Sequence, residues 1–128
     1  HADRALAAGL EIVEAVNRRD GGELQVAVGI NSGPVVAGSI GGAGRLNFSV
    51  IGDPVNVAAR VEAATRQTGD DLLVTAATRD ALTRPLPLEP RGSIELKGKS
   101  EPCDVLAPPA ATRAAEGAVE LSARPRRA

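Results

Sequence analysis

Asn56 and Arg60 stand four residues apart in the stretch "SVIGDPVNVAARVEAA". On a helix that spacing places both side chains on one side. An amide and a guanidinium offer fixed hydrogen-bond donors without a titrating proton. Such donors suit a site where negative charge develops on a phosphoryl or ribose oxygen. The competing reading is an exposed polar stripe in which Asn56 merely supports the helix cap. Composition alone favours that plainer reading.

These residues need a helix and something to hold it. The strand before them ends at Gly52. Asp53 is the expected N-cap, and Pro54 suits the first helical position. Val57, Ala58, Val61 and Ala64 give the helix a small-residue apolar face, and "QTGDD" stops it at Gly69. Upstream, Ala2 to about Asn17 reads as an amphipathic helix on Leu6, Leu10 and Val13, widened by Ile12 and Val16. Leu24, Val26, Val28 and Ile30 alternate with Gln25, Ala27 and Gly29, a strand with one bulky and one small face. Leu46 to Ile51 forms a second strand with Leu46, Phe48 and Val50 on one side. The two are expected to pair antiparallel through a Gly-rich arm, with "PVVAGSI" left open.

Further on, Leu72–Val74 reads as a short buried strand, and Thr75 or Thr78 as the cap of a helix running through Leu82. Pro85, Pro87 and Pro90 interrupt the next stretch. Ser93–Lys97 and Cys103–Leu106 read as strands around the turn "KGKSEP". The order mixes antiparallel pairs with packed helices, so the class is α+β. Residues 1–107 are expected to form the folded part, and residues 108–128 a linker or disordered tail.

Composition narrows the function. With 128 residues and 43% hydrophobic side chains, one domain with a core is expected. A net charge of −1 and a single aromatic, Phe48, argue against a nucleic-acid surface. A basic tail (Arg113, Arg124, Arg126, Arg127) is the only feature pointing the other way. Cys103 is the sole cysteine and His1 the sole histidine, so a His/Cys metal site is not expected. No apolar run suffices for a bilayer span, and membrane contact is not indicated. "GSIGGAG" fits neither the P-loop nor the Rossmann pattern, and hairpin glycines explain it better. The chain carries no Met and its first helix has no good cap, so a fragment of a longer protein is expected.

The phrases "GINSGPVVAG", "FSVIGDPVNVAARVE" and "ELKGKSEP", in that order, resemble the class III nucleotidyl cyclases, the adenylyl and guanylyl cyclases. The resemblance runs from about Ala2 to Leu106. It implies a ferredoxin-like catalytic fold with an antiparallel β-hairpin arm, truncated at its N-terminal side. It also implies that Asn56 orients the ribose and its attacking hydroxyl, and that Arg60 stabilises the pentavalent phosphoryl transition state. Ser49 matches the position that reads the purine edge, where Ser accompanies ATP and Cys is common in the guanylyl type. Lys99 matches the lysine that reaches the triphosphate, with Lys97 as the alternative.

The same resemblance implies Mg²⁺ or Mn²⁺ held by two aspartates on strands that would precede this chain. Neither Asp70 nor Asp71 stands in the right place for that role. The implied partner is a second cyclase domain in a homodimer, because composite sites take metal ligands from one subunit and the Asn/Arg pair from the other. The expected activity is cytoplasmic conversion of ATP to cyclic AMP and pyrophosphate, with the isolated fragment inactive. The alternatives are a guanylate cyclase and a non-catalytic cyclase-like dimerisation or regulatory module.

Overall fold

The computed structural model describes residues 1–20, 23–84 and 86–109. In chain order these form α1 (Ala2–Asp20), β1 (Val28–Ile30), β2 (Val36–Ile40), β3 (Asn47–Ile51), α2 (Asp53–Thr68), β4 (Leu72–Thr75), α3 (Ala76–Asp80), β5 (Glu89–Ile94) and β6 (Cys103–Ala107). β1, β4, β6 and β5 lie side by side in one mixed sheet, with β1 parallel to β4 and the other neighbours antiparallel. β2 and β3 form a separate antiparallel ribbon.

β4 is buried at every residue because helices cover both faces of the sheet. Leu72 and Val74 pack with Leu6 and Val13 of α1, while Leu73 packs with Val57, Val61 and Ala64 of α2. The period-two alternation of a strand thus serves two cores at once. β1 follows the same rule, and this explains its bulky and small faces. Val28 and Ile30 join the α1 side. On the other side, a Cβ added to Gly29 would stand 2.4 Å from the Glu62 amide nitrogen and 2.7 Å from the Ala58 carbonyl oxygen of α2. Only a residue without a side chain lets strand and helix backbones come this close.

The expected pairing of β1 with β3 is not found. β3 pairs instead with β2, from the "PVVAGSI" segment, in the register Val36↔Ile51, Gly38↔Ser49 and Ile40↔Asn47. β1 is drawn into the main sheet because its apolar face packs on α1, and it aligns with β4 as Val28↔Leu72. β5 begins earlier than the predicted Ser93–Lys97 strand and contains Pro90. It lies at the sheet edge with a register shift between Pro90 and Gly92, which is where a strand tolerates proline. Gly21, Gly22 and Pro85 lie outside the described residues, as does the expected tail beyond Pro109.

α2 starts from Gly52, held at φ 145°, and not from an Asp53 side-chain cap. Asp53 is instead the first helical residue and Pro54 the second. The helix ends on Gly69 at φ 81°, in the left-handed region, with its amide donating to the Thr65 carbonyl at 2.9 Å. The α3 cap is as expected: Thr75 Oγ1 accepts from the Thr78 amide. No described helix is long and apolar enough to cross a membrane.

Candidate active site on the flank of helix α2

α2 buries Val57, Val61, Ala64 and Thr65 and leaves Asp53, Asn56 and Arg60 exposed. The exposed three follow an i, i+3, i+7 spacing, so they form one stripe beside the buried face. Asn56 and Arg60 make no side-chain hydrogen bond or ion pair with another described residue. Their donors are therefore open to a ligand, with Asn56 in the partly positive first turn of the helix.

A cation from elsewhere in the chain joins this stripe. Lys99, on the β5–β6 turn, places Nζ 2.5 Å from Oδ2 of Asp53. The turn itself is closed by the Lys99 amide donating to the Leu96 carbonyl at 3.0 Å. Of the two lysines considered, Lys99 is the one that reaches α2. Pairing of Asp53 with Lys99 was missed in the sequence because the expected capping role accounted for the aspartate. Nothing in local spacing links the two positions.

The start of α2 is fixed by a small polar network. Asn31 Nδ2 donates to the Pro54 carbonyl at 3.1 Å, and its Oδ1 accepts from the buried Thr75 hydroxyl at 2.8 Å. Ser32 and the buried Thr78 share a hydroxyl–hydroxyl bond at 3.0 Å. Every hydroxyl in this set therefore has a partner, which buried polar groups require. The end of β1, the start of α3 and the start of α2 are thus tied together. Gly33 continues the contact, since a Cβ there would stand 2.6 Å from Pro54 Cγ.

Between these elements lies a cavity of about 480 Å³, lined by Asn31 and its neighbours, by Asp53, Pro54 and Val57, and by Leu96, Lys99 and Cys103. Burial, followed by the neighbouring Asp104 carboxylate, pushes the Cys103 thiol up from its ordinary value. A thiol pKa raised in this way makes Cys103 a weaker nucleophile than a free cysteine.

Ser49 is the site residue that the structure does not bring to the stripe. It lies half-buried on β3 of the ribbon, opposite Gly38. It makes no side-chain hydrogen bond with another described residue. A Cβ added to Gly38 would meet nothing within 4 Å, so the position opposite Ser49 is open. The ribbon exposes Val36, Ile40, Leu46, Phe48, Val50 and Ile51, with Leu46 at 73% and Phe48 at 75%.

Among the described residues, no three His, Cys, Asp or Glu side chains gather where they could hold a metal ion. Asp53, the carboxylate of the stripe, is engaged by Lys99, and Asp70 by Arg91. This donor set does not fit Mg²⁺ or Mn²⁺.

Comparison with known proteins agrees with this architecture. The profile of the "Adenylate and Guanylate cyclase catalytic domain" family matches residues 1–106. The chain belongs to that family. It is 40% identical over 81 residues to an adenylate cyclase of Anabaena cylindrica, covering 61% of this chain and 16% of that protein. It is 34% identical over 109 residues to adenylate cyclase 1 of Rhizobium meliloti (strain 1021), covering 82% of this chain and 16% of the relative. The crystal structure of the guanylyl cyclase Cya2 superposes with a TM-score of 0.64 at 30% identity, covering 82% of this chain and 56% of that one. The chain thus spans about one sixth of the length of these two curated relatives.

Proposed function

We propose that this chain supplies the transition-state side of an adenylate cyclase site. The observation that carries the reading is the α2 stripe, where Asn56 and Arg60 stand free and Lys99 arrives from the β5–β6 turn. In the reaction, the ribose 3′-oxygen attacks the α-phosphorus of ATP. The bond from that phosphorus to the bridging oxygen breaks, pyrophosphate leaves with the electron pair of that bond, and the hydroxyl proton passes to solvent water. Asn56 orients the ribose, and Arg60 lends its fork of donors to the oxygens that gain charge at phosphorus. Lys99 contacts the leaving phosphates, and Ser49 reads the purine edge.

Residues 1–107 act as the catalytic-domain part, with the residues from 108 onward as a linker or tail that follows the buried Pro108. A second copy of the domain completes the site, with the ribbon at the contact. The divalent ions of the family reaction are then held by residues other than the described ones.

The experiment is a cyclase assay on the full-length protein with ATP and with GTP. ATP is expected to be the better substrate. Arg60→Ala should lower turnover by about 10²–10³-fold, the usual loss on removing one preorganised transition-state donor. Unchanged turnover would remove Arg60 from the mechanism. A preference for GTP would assign the second reading, a guanylate cyclase, for which the Cya2 likeness speaks. No product from either nucleotide would leave the non-catalytic module.

A further inference from the structure

The Asp53–Lys99 ion pair joins two side chains that are 58% and 45% exposed. Pairs this exposed shift an equilibrium by at most about five-fold, so this one contributes little to holding the fold. Its effect is on where a charge sits. It keeps the Lys99 ammonium at the first residue of α2, one turn before Asn56 and two before Arg60 on the same stripe. It also offsets that charge at the place where a phosphate would otherwise meet Lys99. A polyphosphate reaching the stripe brings several oxygens to compete with one carboxylate for the same cation.

We propose that Asp53 is a built-in competitor of the nucleotide's phosphates. It holds Lys99 while the site is empty, yields it when the triphosphate binds, and takes it back as pyrophosphate leaves. Affinity is lowered a little, and product release is eased by the same amount. The inference rests on the reading of Lys99 as a phosphate contact.

The test is a double-mutant cycle in the full-length protein with Asp53→Asn, Lys99→Met and both together. Binding of ATP and of inorganic tripolyphosphate is measured by calorimetry, with thermal unfolding as the control for folding. Lys99→Met should weaken both ligands by about ten-fold, as for loss of a charged hydrogen-bond donor. Asp53→Asn should tighten both by about two- to five-fold, and this gain should vanish when Lys99 is already Met. Weaker or unchanged binding in Asp53→Asn, with Lys99→Met still weakened, would overturn the competitor role alone. An equal gain in both backgrounds would also overturn it, since long-range repulsion would then suffice. Unchanged binding in Lys99→Met would sink the reading of Lys99 itself. If Asn lowers the melting temperature, Asp53→Ser, a second uncharged replacement, carries the same expectations.

Discussion

Gly29 and Glu62 touch backbone to backbone: a methyl group on Gly29 would stand 2.4 Å from the Glu62 amide nitrogen. Strand β1 thereby sets the seat of α2, the helix that carries Asn56 and Arg60. Gly29→Ala must push the two backbones apart, since neither neighbour is a flexible side chain. We expect a loss of about 3 kcal/mol in urea unfolding, the upper part of the range for overpacking. A displacement of about 1 Å at the stripe would also cut turnover on the order of 10²-fold. Gly38→Ala meets nothing within 4 Å and is the stability control. Its unfolding midpoint should stay near that of the unsubstituted protein.

A second prediction concerns the edge of the sheet. Arg91 forks onto Asp70, with Nε 2.8 Å from Oδ2 and Nη2 3.2 Å from Oδ1. Nη2 also lies 3.2 Å from Glu89 Oε1. The Asp70 side chain is fully buried. Removing the guanidinium takes a cation away from a buried carboxylate, a loss that costs about 3 kcal/mol or more. Arg91→Ala should therefore lower stability by about that amount in denaturant titration. Arg91→Lys should recover only part of it, because an ammonium cannot make the two-pronged contact. Equal stability of Arg91→Ala and the unsubstituted protein would refute the structural weight given to the pair.

Asp3 yields a prediction in pH. Its carboxylate accepts from the Thr83 hydroxyl at 2.7 Å, the Thr83 amide at 3.0 Å and the Arg84 amide at 3.1 Å. The Thr83 hydroxyl first, then these amides, hold its pKa down at about 2, against an ordinary 3.8. A depressed folded-state value contributes stability above the unfolded value and loses it as pH falls through the folded value. The stability difference between the unsubstituted protein and Asp3→Asn should be constant above about pH 5. It should shrink steadily as the pH is lowered toward 2. Thermal unfolding of both proteins across that range checks it, and a difference independent of pH would contradict the bonding described.

Much of this arrangement was legible from short-range pattern. The α2 helix, its stop at Gly69 and the Thr75 cap of α3 follow from local spacing and turn chemistry. The small face of β1 was legible too, although its cause, the approach of α2 to Gly29, was not. What the pattern could not supply was partnership between distant segments. β1 and β2 are both short apolar strands, and packing between α1 on one face and α2 on the other decides that β1 enters the sheet. The Asp53–Lys99 and Asp3–Thr83 contacts likewise join positions with no shared periodicity. The stripe of Asn56 and Arg60 was visible because both lie on one helix.

The last prediction concerns the ribbon. Phe48 and Val50 share one face with Ser39 and Ala37, while Ile51, Val36 and Ile40 occupy the other with Ser49. Phe48 is 75% exposed, as is Leu46 at 73%, although both are large apolar side chains. Large apolar side chains exposed together on one face mark a contact with another chain more often than a free surface. An aromatic at the centre of such a contact commonly carries 2 kcal/mol or more of its energy, about thirty-fold in affinity. If a second copy covers the ribbon, Phe48→Asp in the full-length protein should weaken self-association by about that factor in sedimentation measurements. It should also lower cyclase turnover in proportion to the lost dimer, and raising the protein concentration should restore both together. Lost turnover with unchanged association would overturn the assignment of Phe48 to the contact between copies.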